Sequence, residues 1–357
     1  MSIRFLIFFY FFLKFFLTGS TGEPLTRESI YFRIQQYMNG LILSGSKNVF
    51  EVECDDGYIR DCAIKGKILK ASEGYYNPLA PGDIVTLDDS TLEDDKGMIT
   101  DLVPRKNRFV RWNIKKKEPQ ILAANLDYLL IVTTPDNPPF RPRFVDRAIA
   151  QAEYEGITPV IVCNKYDINA AREDEFQDRL EVWENAGYKV IRSSARTGEG
   201  MEELANLIEN HLSAFVGQSG VGKSSIINVL DNTVVLKTGS LSQKYGKGCH
   251  TTTKGTLIHL QIDEALVGGI KGTTANIIDT PGVRRFLLND ISPENLALYF
   301  REFVPFIGKC NYGMSCSHTH EKGCAIIQAV EEGKISPLRY DSWMRICEEM
   351  KSGSFED

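Results

Sequence analysis

The most constraining stretch of the 357-residue chain is Gly217-Gln-Ser-Gly-Val-Gly-Lys-Ser-Ser225, which fits G-x-x-x-x-G-K-[ST]. It lies between the apolar runs Ala214-Phe215-Val216 and Ile226-Ile227, so a buried strand leads into it and a helix leads out. Its glycines let the backbone curl until successive N–H groups face one anion. Gly217, Gln218, Ser219, Gly220, Val221, Gly222, Lys223, Ser224 and Ser225 are therefore candidate contacts for a polyphosphate. Lys223 suits the β- and γ-phosphates, Ser224 puts a hydroxyl on Mg²⁺, and the helix offers its positive N-terminus to the same charge. The bland alternative is a glycine-rich turn with an unrelated lysine; the apolar flanks speak against it.

Such a loop needs a parallel α/β sheet around it, and the preceding residues supply one. Tyr128–Thr133, Pro159–Cys163 and Lys189–Arg192 read as buried strands, alternating with helical spacing over Arg143–Glu155, Glu173–Ala186 and Glu199–Leu212. The second strand ends in Asn164-Lys165-Tyr166-Asp167 and the third in Ser193-Ser194-Ala195. N-K-x-D in that place is a guanine reader. The Asp167 carboxylate can accept from the base N1–H and exocyclic N–H together, and adenine leaves it unpaired. Asn164 pins neighbouring loops, the Lys165 stem lies over the base, and Ser194-Ala195 offers the Ala195 N–H to guanine O6.

Downstream, Gly246-Lys-Gly-Cys-His-Thr-Thr-Thr253 has the composition of a switch loop, in which one threonine completes a Mg²⁺ shell. Thr252 is the first choice and Thr251 the next. Ala275–Ile278 reads as a strand ending in Asp279-Thr-Pro-Gly282. Asp279 would hold Mg²⁺ through water, and the Gly282 N–H would meet the γ-phosphate. The next residue is Val283, where Ras-like enzymes place a water-orienting glutamine. His250 is the nearby candidate for that catalytic task; its alternative role is contact with RNA or solvent. In ordinary small GTPases the phosphate loop comes first and the guanine reader late. Here the reader precedes the loop, so the expected domain is a circularly permuted P-loop GTPase, its original ends having lain close together.

The flanking regions differ. Residues 38–118 read as a small all-β barrel of OB type, with strands over 40–43, 48–54, 58–64, 67–71 and 83–87. It ends in a basic run, Pro104 to Lys117, whose cations interleave with Phe109 and Trp112, a pattern that suits RNA or else a solvated linker. A net charge of −6 excludes coating of nucleic acid by bulk charge. Before the barrel, Ile3–Leu17 resembles the apolar core of a signal peptide, with no A-x-A cleavage site after it. Export would separate the protein from GTP and oxidise its thiols, so residues 1–37 are read as an inessential extension or a mis-assigned start upstream of Met38.

Near the C-terminus, Cys310, Cys316, His318 and Cys324 form C-x5-C-x-H-x5-C. Three thiolates and an imidazole suit one structural, tetrahedral Zn²⁺. Spacing alone does not choose between His318 and His320. Pro293–Phe303, Ala325–Glu332 and Pro337–Lys351 read as the helices around this knot.

From about Met38 onward the chain resembles the circularly permuted ribosome small-subunit-dependent GTPases, the RsgA/YjeQ family. The resemblance is carried by Pro104-Arg-Lys-Asn107, N-K-x-D at 164–167, GQSGVGKSS at 217–225, G-x-H-T-T-T at 248–253, DTPG-V-R at 279–284 and the Cys/His knot. It implies an OB barrel at 38–118, a permuted GTPase domain at 119–290 and a zinc-bearing helical domain at 291–357, with His318 as the histidine ligand. It further implies GTP hydrolysis stimulated by the small ribosomal subunit, binding of that subunit's rRNA, GTP and GDP as ligands, a monomer, a cytoplasmic location and no stable membrane partner. An RNA-binding module that keeps GTP as a structural ligand is the rival reading. Three local departures stand out: the gap from Cys310 to Cys316 is one residue longer than the family pattern, the strand feeding the phosphate loop looks short between His211 and Phe215, and Gln261–Thr274 looks enlarged into a hairpin tip.

Overall fold

The computed structural model describes residues 37–46, 48–66, 74–88, 90, 92–236, 255–283 and 285–353. The leader, the strand expected at 67–71 and the segment holding His250, Thr251 and Thr252 lie outside them.

Alternation of apolar and polar residues builds the first unit. Strands β1 (Tyr37–Ser46), β2 (Val49–Cys54), β3 (Ile59–Ile64), β4 (Ile84–Asp88) and β5 (Lys96–Leu102) pair in the ring β1-β2-β3-β5-β4 and back to β1. Alternate residues point inward, so Phe50, Val52, Cys62, Val85, Leu87 and Ile99 fill the barrel. β1 serves both neighbours because its register shifts between Ile42 and Ser44. Of the barrel's five strands, β5 was not anticipated; its polar start in an acidic stretch hides the alternation.

The basic run is a second hairpin, β6 (Arg108–Asn113) with β7 (Glu118–Ala124). This changes its reading. Arg105 is buried against Asp83 at 2.6 Å. Phe109 is buried and stacks on Phe286 with ring centroids 5.2 Å apart. Both are structural, so Phe109 is unavailable to stack on a base. Trp112 and Ile114 remain exposed, and Lys116 lies over the Tyr76 ring.

The α/β unit follows: β8 (Tyr128–Thr133), α1 (Pro142–Glu155), β9 (Thr158–Cys163), α2 (Asp174–Asn185), β10 (Lys189–Arg192), α3 (Met201–Ile208), β11 (Leu212–Gly217), α4 (Lys223–Leu230), β12 (Thr256–Gln261) and β13 (Thr274–Asp279). The strand order is β10-β9-β8-β11-β13-β12, all parallel except β12. One face buries Phe144, Ile149, Leu180 and Trp183 of α1 and α2; the other buries Leu204, Ile208, Ile226 and Leu230 of α3 and α4. β11, which feeds the phosphate loop, is fourth in chain order yet central in space. That is the layout of a permuted domain. α3 stops at Ile208 rather than Leu212, because Leu212 opens β11: its carbonyl accepts from the Asp127 N–H at 2.8 Å and its own N–H donates to the Asp127 carboxylate at 3.0 Å. The strand thus has six residues and is not short. Residues 261–274 do form the tip between antiparallel β12 and β13. Among the described residues, β12 meets the barrel through a backbone pairing of Ser44 with Thr256 and through His259 Nε2, 3.0 Å from Glu53 Oε2.

The C-terminal unit holds α5 (Ala325–Glu331) and α6 (Pro337–Ser352). The helix expected over 293–303 is instead two short 3-10 turns, Leu296–Tyr299 and Val304–Phe306, separated by the buried aromatics Phe300 and Phe303. α6, capped by the Ser336 hydroxyl, packs on α1. At that contact the buried Asp146 carboxylate accepts from Trp183 Nε1 at 2.7 Å, from Ser342 Oγ at 2.5 Å and from Arg339 Nη1. Arg339 also holds Glu302 at 2.6 Å. No helix among the described residues is long and apolar enough to cross a membrane.

Candidate nucleotide site and metal knot

The phosphate loop and the N-K-x-D loop, 50 residues apart in sequence, are bonded to each other. Both leave the C-terminal ends of parallel strands, β11 and β9, on either side of β8. Asn164 Nδ2 donates to Val221 O at 2.8 Å and Lys165 Nζ donates to Gly220 O at 2.9 Å. Asn164 Oδ1 accepts from Ala195 N at 3.1 Å, so one buried amide ties three loops together. Gly222 is required at this joint. Its φ is +97°, and a Cβ there would lie 2.2 Å from Asn164 Nδ2.

Gly222 also caps α4, whose first turn carries Lys223, Ser224 and Ser225. Lys223 is buried, and its ammonium donates to Gly217 O at 3.2 Å and Gln218 O at 3.4 Å. Burial lowers its pKa, opposed by the charge of Asp279; burial raises that of Asp279, opposed by Lys223. Asp279 Oδ1 and Gln218 Nε2 are buried and have no hydrogen-bond partner among the described residues. Beyond Asp279, Thr280 Oγ1 donates to Phe215 O at 2.6 Å. Gly282 lies so close to Ser219 that a Cβ would come within 2.9 Å of its Cα. Val283 is buried in the core and its N–H donates to Gly217 O at 3.1 Å. The DTPG turn is thereby seated against the phosphate loop.

On the reader side, Ser194 Oγ donates to Asp167 Oδ1 at 2.5 Å, and the hydroxyl in turn accepts from the N–H of Arg196 and Thr197. Asp167 Oδ2 is ion-paired with Arg196. Ser194 first, and then Arg196, hold the Asp167 carboxyl below its usual range. The Ala195 N–H, offered to guanine O6 by the sequence reading, here donates to Asn164. Tyr166 turns into the core with its hydroxyl on Gln177. Arg196 was missed by sequence reasoning, although it directly follows Ser194-Ala195. His250 and Thr252 lie outside the described residues.

The knot is compact. The ligand atoms of Cys310, Cys316, His318 and Cys324 lie within 4.8 Å of one another, and all four residues are buried. Cys310 Sγ and Cys324 Sγ are 3.8 Å apart, and each is 3.5 Å from His318 Nδ1. A tetrahedron with Zn–S of about 2.3 Å and Zn–N of about 2.0–2.1 Å has edges of roughly 3.8 and 3.5 Å. The donor set therefore fits zinc despite the longer gap before Cys316. His320 is exposed, with Nδ1 on Thr319, and stands outside the cluster. Among the described residues, the orphaned Asp279 oxygen and the Ser224 hydroxyl, in the first turn of α4, are candidate groups for the magnesium of a bound nucleotide.

A closed five-stranded barrel, a sheet whose phosphate-loop strand comes fourth, and a Cys3His helical unit together define the class of circularly permuted P-loop GTPases. Comparison with known proteins gives the particular family. Residues 102–289 match the family model described as RsgA GTPase. The protein named small ribosomal subunit biogenesis GTPase RsgA from Chlorobaculum parvum is 37% identical over 324 residues, covering 89% of this chain and 99% of that one. Its namesake from Borreliella burgdorferi is 35% identical over 317 residues, covering 88% and 97%. Among solved structures, YjeQ from Thermotoga maritima aligns with a TM-score of 0.63 at 28% identity, covering 88% of this chain and 99% of that one. YloQ, described as a circularly permuted GTPase, shares the fold with a TM-score of 0.60 at 24% identity, covering 90% and 97%. The chain belongs to the RsgA GTPase family.

Proposed function

We propose that the protein is a cytoplasmic GTP hydrolase that acts in late maturation of the small ribosomal subunit, binds its rRNA, and is stimulated by that subunit. The observation that carries the reading is the bonding of Asn164 and Lys165 to the phosphate loop, which gives a base reader and a phosphate cradle one common ligand. In the proposed complex Asp167 reads guanine, with Asn164, Lys165, Ser194 and Ala195 around the base. Residues 217–225 wrap the phosphates. Ser224, Asp279 and, from the switch segment, Thr252 hold Mg²⁺, while the Gly282 N–H faces the γ-phosphate. The magnesium would neutralise charge on the phosphates. Zn²⁺ on Cys310, Cys316, His318 and Cys324 would be structural, because four protein ligands leave no open position.

Val283 is buried and apolar, so it orients no water, and hydrolysis by the protein alone is expected to be slow. Supply of the missing activation by the ribosomal partner, with His250 as the chain's own candidate, accounts for a stimulated enzyme. The deciding measurement is phosphate release from GTP with and without purified small subunits. A rise on adding subunits is expected. A rate that does not change would favour the rival, an RNA-binding module with GTP as a structural ligand.

A further inference from the structure

Every base-reading group of the site is satisfied by the protein itself. Asn164 Oδ1 takes the Ala195 N–H, Ser194 takes one Asp167 oxygen, and Arg196 takes the other. The Asp167 side chain is only 10% exposed, whereas that of Arg196 is 77% exposed. Ser194 is fully buried, so it closes the inner side of the carboxylate. Arg196 therefore reaches Asp167 from the solvent side.

The chemistry of the two visitors is alike. The edge that guanine presents to a carboxylate, N1–H beside the exocyclic amino group on one carbon, is itself a guanidine. Arginine carries the same planar fork of N–H donors. We propose that Arg196 is an internal mimic of the guanine edge, an affinity-setting residue that pairs with Asp167 and must be displaced by guanine. The proposal rests on Asp167 as the base reader.

One consequence follows from the mimicry. Breaking the internal pair costs the same whichever base enters, so the arginine lowers the affinity of guanine nucleotides, and of any other nucleotide that displaces it, by one common factor. The exposed position of Arg196 keeps this effect small. Exposed ion pairs of this kind change an equilibrium by roughly two- to fivefold.

The test is a double-mutant cycle on the full-length protein, read by equilibrium binding of fluorescent nucleoside diphosphates. Arg196→Ala should bind GDP roughly two- to fivefold more tightly than wild type, and IDP should gain by no more than the same factor. Asp167→Asn should bind xanthosine diphosphate in place of GDP, and in that background Arg196→Ala should leave xanthosine diphosphate affinity unchanged, since the ionic partner is gone. Weaker or unchanged GDP binding by Arg196→Ala, with the xanthine switch intact, would overturn the mimic alone. The same gain in both backgrounds would also overturn it, by showing an effect that does not pass through Asp167. Failure of Asp167→Asn to gain xanthosine diphosphate would instead remove the base-reader assignment on which the proposal stands.

Discussion

Single atoms decide whether the site holds together. Asn164 reaches Val221 only because nothing projects from Gly222. The substitution Gly222→Ala adds a carbon 2.2 Å from the Asn164 amide at a residue with φ of +97°. Backbone strain of this type costs about 1–3 kcal/mol. Gly222→Ala is therefore expected to lower the denaturation midpoint and to weaken GDP binding by about fivefold or more, both readable in one nucleotide titration with thermal melts. The residues that the sequence made legible are those whose chemistry is local: the phosphate loop, N-K-x-D, Ser194 and the three cysteines of the knot, with His318 preferred to His320 through the family resemblance alone. Arg196 escaped because its partnership with Asp167 exists only once two strand ends are set side by side. Arg105 and Phe109 were legible as a cation and an aromatic, but their burial was not, and burial reverses their meaning.

At the scale of elements, period and length were readable where a face is buried. α1, α2, α5 and α6 and the strands β8 to β10 fall close to expectation because each presents an apolar side to a core. β5 and the 293–303 turns were not, since β5 opens on polar residues and the turns are shaped by Phe300 and Phe303 reaching a common core. The end of α1 carries a testable charge. Burial pushes the Glu155 carboxyl up to about 7, partly offset by Arg108. Its ordinary value is 4.5, so between 4.5 and about 7 the folded chain binds more protons here than the unfolded chain. The contribution to stability is complete below that window and is lost as pH rises through it. Urea denaturation across this range should show wild type weakening with rising pH, and Glu155→Gln should flatten the decline. The knot gives a second test. Cys324→Ser should reduce bound zinc, measured by elemental analysis, and loosen the unit that α5 and α6 build around it. Retention of full metal stoichiometry would refute the assignment.

Across the whole molecule, the C-terminal unit is fastened to the α/β unit by charge as well as by apolar contact. Asp146 and Arg339 are both wholly buried, and each is fully engaged. Removing one member of such a pair leaves the other charged and unpaired, at a cost of about 3–5 kcal/mol. Asp146→Ala should therefore destabilise the full chain by that amount in urea, whereas truncation of the exposed pair Arg345–Asp341 should be close to neutral. The permuted order has a mechanical outcome of its own. β12 starts at Thr256, four residues past Thr252, and its first residue is stitched to Ser44 of the barrel. In the proposed complex, a threonine drawn inward by its ligand would tug on a thread whose other end is already sewn into the neighbouring unit.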